Sequence, residues 1–111
     1  MWAEYDNMAI ESENNNYTLH VAGYHGNAGD AFNYDYTYMY SSNGMQFSTL
    51  DFDNDLHPTA NCAAEIYQSG WWYNRWCSAS PLNGRYASWY SAARGYGSVS
   101  ASRMILQCGG N

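Results

Sequence analysis

Hydrophobic and polar residues alternate over short stretches of this chain, which predicts β-strands joined by irregular loops. Residues 3–10 and 17–21 alternate with the two-residue period of a strand that has one buried face. Residues 45–50 and 104–107 predict two further short strands. Helical spacing is found only in a short stretch at residues 61–67, so the sequence predicts a mainly β protein.

Turn-forming residues separate these stretches. Residues 11–16 form a polar turn rich in asparagine, and residues 23–30 form a loop punctuated by glycine. Asn-Gly dipeptides at residues 43–44 and 83–84 mark two tight turns. The sequence Asn-Tyr-Thr at residues 16–18 is a glycosylation sequon, so Asn16 is a predicted glycosylation site.

A stripe of tyrosines lies between the second and third predicted strands. Tyr34, Tyr36, Tyr38 and Tyr40 would share one face of an extended, half-buried segment. Such stripes usually pack within a sheet. A stripe left exposed would instead seek a second copy or another subunit. The pattern therefore favours a chain that associates with other chains.

The composition is typical of extracellular proteins rich in strands or loops. At 111 residues the chain is one domain or part of one. Aromatic residues make up 18% of it, with 12 Tyr and 5 Trp, whereas charged residues make up only 13%. Tyr and Trp offer a large contact area at low entropic cost, which suits a recognition surface.

The charge pattern argues against two classes of partner. The net charge is −6, with four Arg and no Lys, so no basic stripe exists to contact nucleic acid or an anionic membrane. No run of about 18 apolar residues exists to insert into a membrane. The first residues are partly acidic and do not form a signal peptide, so we expect a secreted protein to be processed or a fragment.

Three carboxylates at alternate positions form the most chemically informative segment. Asp51, Asp53 and Asp55 lie close together in sequence, and their mutual repulsion favours a cation among them. Calcium suits a site made of oxygen ligands. The helix-loop-helix calcium loop does not fit, because its glycine and glutamate positions do not match, so carbonyls of residues 57–60 must supply further ligands. The alternative interpretation is an acidic, solvated loop.

The chain has an odd number of cysteines. Cys62 and Cys77 enclose a short, irregular segment, and a disulfide between them would add about 3 kcal/mol to the free energy of unfolding. Cys108 lies in a glycine-rich tail. It is either bonded outside this chain or a buried reduced thiol.

No catalytic motif accompanies these features. The chain has three histidines, but it lacks the Gly-x-Ser-x-Gly and His-Glu-x-x-His patterns and the Cys-x-x-Cys spacing of zinc sites. We expect His20 to face solvent on a strand and His25 to be exposed in the glycine-rich loop. The expectation is that the chain is not an enzyme.

A series of short segments points to one family. They are Asn-Tyr-Thr-Leu at 16–19, Gly-Tyr at 23–24, Gly-Asn-Ala-Gly-Asp at 26–30, Asn-Gly-Met-Gln-Phe-Ser-Thr at 43–49, Asp-Phe-Asp-Asn-Asp at 51–55, Asn-Cys-Ala at 61–63, Gly-Trp-Trp-Tyr-Asn at 70–74, Leu-Asn-Gly-Arg-Tyr at 82–86 and Met-Ile at 104–105. In this order they resemble the fibrinogen-related domain of fibrinogen chains, ficolins, tachylectins, angiopoietins and tenascins.

The resemblance covers nearly all of this chain but only the C-terminal half of the family domain. It implies an α+β fold that is mainly antiparallel β with extensive irregular loops. Residues 1–50 would be the central sheet region, and residues 51–111 the calcium- and pocket-bearing subdomain. The chain would then be a fragment, a processed product or a truncated relative.

The resemblance also implies a calcium site. Asp53 and Asp55 match its side-chain ligands, and carbonyls among residues 57–60, with His57 and Thr59 the expected pair, would complete it. Asp51 matches an acid that supports the loop. The family's disulfide beside this site matches Cys62 and Cys77. This chain has one extra residue between Asp55 and Cys62, and two extra between the cysteines.

A ligand pocket lies beside that site in the family, where different members bind acetyl groups or short peptide termini. This chain departs from the family pattern there. Ser78 stands where many members have His, Trp76 is bulky enough to fill the cavity, and the segment after Tyr86 is much shorter. The matching positions are Trp76, Cys77, Ser78, Tyr86 and Tyr96.

Two functions follow as expectations. The first is a secreted, calcium-dependent recognition module with lectin-like binding of acetylated glycans or similar small groups. The alternative is a structural or assembly subunit of an extracellular complex, in which calcium only stabilises the loop. Its partners would be other protein chains, either a second copy or the missing N-terminal half. Trp76, the shortened segment and Cys108 favour the alternative, whereas the acidic loop serves both.

Overall fold

The computed structural model describes residues 1–33, 39–91 and 95–107. Within them, short strands form three antiparallel pairs and helix is scarce, which confirms the prediction of a mainly antiparallel β chain. The tyrosines at 34, 36 and 38, and Cys108, lie outside the described residues. The elements are β1 (Ala3–Ile10), a 3-10 turn (Glu13–Asn15), β2 (Leu19–Gly26), β3 (Phe47–Ser48), a π-helix (Cys62–Tyr67), β4 (Trp71–Trp72), β5 (Ser88–Ser91) and β6 (Gly95–Ser98).

The longest pair is formed by β1 and β2. Its register runs from Ala3 opposite Gly26 to Ile10 opposite Leu19, so the strand predicted at residues 3–10 is confirmed. The bounds predicted for the second strand are wrong. That strand begins at Leu19 and continues to Gly26, through residues whose glycine content predicts a loop. Pairing with β1 supplies the backbone hydrogen bonds that outweigh the low strand propensity of glycine.

Gly23 marks a change in the face that β2 turns to the core. The buried residues of β2 are Leu19 and Val21, but the next residue that packs inward is Tyr24, whose ring lies 5.7 Å from that of Tyr5. Gly23 has a φ of +78°, and a Cβ there would lie 2.8 Å from the Cβ of Asp6 on β1. Glycine is therefore required at this position, and the alternation of buried and exposed residues along β2 ends at Val21.

Two shorter strand pairs follow, β3 with β4 and β5 with β6. Phe47 of β3 lies opposite Trp72 of β4, and only residues 47 and 48 of the strand predicted at 45–50 are in this ladder. Ser88 of β5 lies opposite Ser98 of β6, a hairpin that the sequence did not predict.

The strand predicted at residues 104–107 is wrong. This segment is not in a strand, and Met104, Ile105 and Leu106 are all exposed. An extended apolar segment becomes a strand only when a neighbour satisfies its backbone hydrogen-bonding groups. The described part of the chain offers these residues no such neighbour.

The helical stretch predicted at residues 61–67 is present as a π-helix from Cys62 to Tyr67. The side chain of Asn61 caps it by accepting a hydrogen bond from the Ala64 N–H at 3.0 Å, and Gln68 ends it with a φ of 55°. Among the described residues, no helix has both the length and the apolar character needed to cross a membrane.

The core consists largely of aromatic side chains. The ring of Phe32 lies 5.3 Å from those of both Tyr5 and Trp89, and 6.1 Å from that of Trp71. Such tilted and edge-on contacts add to the stabilisation from apolar burial. Phe32 therefore links β1, β4 and β5. The other buried members of this cluster are Leu19, Val21, Cys62, Ala63, Trp72, Tyr73 and Cys77.

We predict that Gly23→Ala destabilises the protein. The substitution forces alanine into a left-handed conformation, at a cost of about 1–2 kcal/mol, and also drives its Cβ against Asp6. Urea unfolding would measure the loss. Gly44→Ala is a matched control, because Gly44 has a φ of +83° but no neighbouring group lies within 4 Å of where a Cβ would be. Equal losses in the two variants would show that the Asp6 contact is unimportant.

A second prediction concerns an exposed pair on the same two strands. His25 Nε2 lies 2.9 Å from Asp6 Oδ2, and this hydrogen bond, together with the charge of Asp6, raises the pKa of His25. We expect Asp6→Asn to lower the pKa of His25 towards its ordinary value, since the favoured charged form loses its partner. An NMR titration of the imidazole protons measures this change, with His20 as an internal control. An unchanged His25 titration in the variant would exclude the interaction.

Candidate functional site

The acidic loop begins with a tight backbone turn. The Thr49 N–H donates to the Phe52 carbonyl at 3.0 Å, and the Phe52 N–H donates to the Thr49 carbonyl at 3.2 Å. The Thr49 hydroxyl also donates to Asp51 Oδ1 at 2.8 Å. Asp51 thus braces this turn, in keeping with the supporting role that the family resemblance implies.

The next acidic residues shape the loop through their own backbone. Asp53 Oδ1 accepts a hydrogen bond from the Asp55 N–H at 3.2 Å. Asp55 in turn accepts hydrogen bonds from the N–H groups of His57 and Cys62, each at 2.9 Å. Asn54 donates from its amide to the Phe47 carbonyl at 3.0 Å and so ties the loop to β3. These bonds place Asp53 and Asp55 together on the loop.

The surroundings of Asp55 have opposing effects on its ionised form. Partial burial raises the pKa of Asp55, and the neighbouring Asp53 adds to this effect, whereas the two backbone N–H donors oppose it. A positive ion beside both carboxylates would offset the effects of burial and of Asp53, and so would lower the pKa of Asp55. Each oxygen that accepts one N–H keeps a second lone pair, so the hydrogen bonds do not prevent coordination.

The donor set of this loop fits calcium rather than a transition metal. Carboxylate oxygens are hard ligands of the kind that calcium prefers. Among the described residues, no three His, Cys, Asp or Glu side chains converge on one point. The two carboxylates would therefore need backbone or water oxygens to complete a calcium shell. The assignment of the His57 and Thr59 carbonyls to that shell stays a prediction.

His57 has a structural role that its sequence position did not reveal. Its Nδ1 accepts hydrogen bonds from the N–H groups of Thr59, at 3.2 Å, and Ala60, at 2.9 Å. Two converging donors require an unprotonated Nδ1, which places the proton of the neutral ring on Nε2. The imidazole therefore holds the turn at residues 57–60 as an internal acceptor.

A disulfide joins this loop to the segment that carries the implied pocket. Cys62 and Cys77 are bonded, with their Cα atoms 5.7 Å apart, so the pairing implied by the family resemblance is confirmed. Cys77 closes a turn in which its N–H donates to the Asn74 carbonyl at 3.1 Å. Its φ is +69°, and among the described residues no peptide bond is cis, including the one before Cys77.

The five implied pocket residues differ in their exposure to solvent. Trp76, Tyr86 and Tyr96 are exposed, with relative exposures of 43%, 71% and 53%, whereas Cys77 and Ser78 are buried. Tyr86 lies beside the Arg85 guanidinium, which is 5.3 Å from its ring centre. Tyr96 packs on Tyr90 at 5.1 Å across the β5–β6 hairpin.

Ser78 belongs to a buried cluster of hydroxyl groups. Its Oγ lies 3.0 Å from that of Ser42 and 3.3 Å from that of Ser80, and it accepts the Ser80 N–H at 2.9 Å. Its hydrogen-bonding capacity is thus used inside the protein. Ser78 therefore supports the packing of this segment.

A contact between two rings links the loop and the implied pocket. The rings of His57 and Trp76 meet edge to face, with centres 5.4 Å apart and planes at 90°. Sequence reasoning placed these residues in separate sites and missed the contact. No pattern within either segment signals it.

Asn16 occupies an exposed turn after the 3-10 segment. It has a φ of 50°, and its side-chain amide donates to Gln46 Oε1 at 3.1 Å. Glycosylation of Asn16 stays a prediction, and its exposure is compatible with a glycan.

We predict that removing the disulfide weakens the whole site. Replacing both Cys62 and Cys77 by Ala should lower the free energy of unfolding by about 3 kcal/mol, because the unfolded chain regains the freedom of the closed loop. Urea unfolding would measure this, with chemical reduction of the unmutated protein as the comparison. Equal unfolding midpoints with and without the bond would contradict the prediction.

Comparison with known proteins identifies relatives along almost the whole chain. The family model for the C-terminal globular domain of fibrinogen β and γ chains matches residues 1–101. Protein scabrous of Drosophila melanogaster is 43% identical over 109 residues, which cover 95% of this chain and 12% of that protein. Techylectin-5A of Tachypleus tridentatus is 44% identical over 85 residues, which cover 77% of this chain and 26% of that protein.

Solved structures agree with these matches. The fibrinogen-like globe domain of human ANGPTL2 has a TM-score of 0.62 and 46% identity, over 74% of this chain and 33% of that one. Lamprey fibrin D-dimer, complexed with the peptide ligand Gly-His-Arg-Pro-amide, has a TM-score of 0.65 and 37% identity, over 76% of this chain and 28% of that one. The chain thus spans a minor part of the length of each relative.

Proposed function

Because the chain belongs to the family of the fibrinogen C-terminal globular domain, we propose that it is a calcium-dependent recognition module. Members of this family are non-enzymatic recognition or structural proteins. They are mostly secreted, and we propose the same location for this chain. The ligand class that we propose is an acetylated glycan or a similar small group.

The observation that carries this proposal is the arrangement of the acidic loop. Asp53 and Asp55 lie on a loop closed by the hydrogen bond from Cys62 to Asp55, and Cys62 is bonded to Cys77. Asp53 and Asp55 would hold the calcium ion, which would neutralise their repulsion and fix the loop. Calcium would thereby stabilise the segment that begins the recognition surface at Trp76.

The recognition surface that we propose is aromatic rather than deeply concave. We propose that the exposed residues Trp76, Tyr86 and Tyr96 contribute to it, whereas Ser78 is buried in the hydroxyl cluster. Exposed aromatic rings bind the apolar faces of sugars and acetyl methyl groups at low entropic cost. This surface suits small, partly apolar groups with a few polar substituents.

We predict that calcium stabilises the folded protein through Asp53 and Asp55. At a calcium concentration of about 100 times the Kd, binding adds about 2.7 kcal/mol to the free energy of unfolding. Asp53→Asn together with Asp55→Asn should remove this gain. Asparagine removes the charge and keeps one acceptor oxygen. This preserves the bond that Asp53 accepts but only one of the two that Asp55 accepts, so calcium is compared with chelator within each variant. Thermal unfolding with calcium and with chelator measures the effect.

The matched control for this experiment is Asp51→Asn. It removes one charge from the same loop, but Asp51 contacts Thr49 and would not hold the ion. The control should keep most of the calcium-induced gain. Identical unfolding of the unmutated protein in calcium and in chelator would overturn the calcium proposal.

Ligand recognition has a separate test. The folded protein is passed in calcium over immobilised N-acetylated sugar and then eluted with chelator. Retention that chelator releases would support the recognition function. Complete flow-through would favour the alternative function, in which calcium braces a subunit of a larger extracellular assembly.

The alternative assembly function is supported by one specific observation. Met104, Ile105 and Leu106 expose 52%, 71% and 73% of their surface in consecutive positions. A run of exposed apolar side chains favours association with another chain. Under this alternative, sedimentation at micromolar concentration should show a species larger than the monomer, whereas a clean monomer would count against it.

A further inference from the structure

The contact between His57 and Trp76 joins the turn after the acidic loop to the segment beside the disulfide. His57 lies in the turn that follows the acidic loop, and Trp76 lies next to the disulfide-bonded Cys77. Their rings meet at 5.4 Å in an edge-to-face geometry, which is favourable for two aromatic groups.

The imidazole of His57 is held from the side of the acidic loop. Its Nδ1 accepts the N–H groups of Thr59 and Ala60, and its backbone N–H donates to Asp55 Oδ1. The ring cannot turn without losing two hydrogen bonds. Its orientation therefore follows the conformation of the loop at residues 55–60.

The indole of Trp76 is held on its other side by Met39. The indole N–H donates to Met39 Sδ at 2.6 Å, and the Trp76 backbone N–H donates to the Met39 carbonyl at 2.9 Å. The Arg75 guanidinium lies 5.8 Å from the ring centre. The residue nevertheless keeps 43% of its surface exposed, so it can touch both His57 and an external ligand.

We propose that His57 is a positioning residue that couples the acidic loop to Trp76. This inference rests on the proposed function, since it assumes that calcium binds Asp53 and Asp55. An ion that fixes the carboxylate of Asp55 also fixes the backbone of His57, and with it the ring against which Trp76 packs. The exposed face of Trp76 then depends on calcium, although Trp76 does not bind the ion.

Two substitutions of His57 separate its two contacts. His57→Asn keeps a side-chain acceptor for the N–H groups of Thr59 and Ala60 but removes the ring. His57→Phe keeps a ring against Trp76 but removes the acceptor. The matched control is His20→Asn, the same substitution at an exposed residue of β2.

The experiment follows Trp76 directly while calcium is titrated. The protein is labelled with 5-fluorotryptophan, and Trp76→Phe identifies the Trp76 signal among the five in the fluorine NMR spectrum. Calorimetry measures calcium binding separately. We expect the Trp76 signal to shift on calcium binding in the unmutated protein and in the His20→Asn control.

The two variants should then behave differently. In His57→Asn the protein should still bind calcium, but the calcium-induced shift of the Trp76 signal should fall about fivefold or more. In His57→Phe the calcium affinity should fall, because the turn has lost its acceptor. A Trp76 shift of full size in His57→Asn would overturn the inference.

A further measurement needs no substitution at His57. In the unmutated protein, the imidazole protons of His57 and the indole protons of Trp76 should show a nuclear Overhauser cross-peak. The chemical shifts of both residues should follow the same calcium titration curve. A His57 signal that moves while Trp76 stays fixed would overturn the coupling but leave the calcium site in place. Absence of calcium binding by calorimetry would overturn the proposed function and the coupling together.

Discussion

The geometry around the acidic loop depends on the two hydrogen bonds that Asp55 accepts. They come from the N–H groups of His57 and Cys62, each at 2.9 Å, and they close the chain into a loop. Cys62 also begins the π-helix and carries the disulfide to Cys77. The Asp55 carboxylate therefore positions Cys62, which both begins the π-helix and joins the segment around Cys77 through the disulfide. Burial raises the pKa of Asp55, and its two backbone N–H donors oppose that rise.

Five described residues other than glycine have a positive φ: Asn16, Tyr17, Gln68, Cys77 and Tyr86. Cys77 and Tyr86, two of the implied pocket positions, have φ values of 69° and 59°. A non-glycine residue in this conformation costs about 1–2 kcal/mol, so the surroundings must enforce it. At Cys77 the disulfide and the Asn74 turn do so. Trp76 is exposed and Ser78 is buried on either side of Cys77.

Around Cys77, the buried side chains and the exposed side chains have different chemistry. Ser42, Ser78 and Ser80 satisfy one another in the interior, where an unpaired hydroxyl would be costly. Trp76 and Tyr86 instead expose ring surface beside Arg75 and Arg85, respectively. Each exposed ring with its neighbouring guanidinium group suits contact either with a small ligand or with another chain. The same aromatic side chains can therefore serve either candidate function.

The family, the mainly antiparallel β class, the strand at residues 3–10 and the Cys62–Cys77 pair could all be predicted from the amino-acid sequence. These depend on local periodicity, or on segments whose order identifies the family. Tertiary contacts were needed to establish the extension of β2 through Gly26, the β5–β6 hairpin and the irregular conformation of residues 104–107. Strands are completed by partners that lie far away in sequence, so local composition cannot determine their ends. The His57–Trp76 contact was hidden for the same reason, since folding brings together two loops whose separate patterns carry no record of each other.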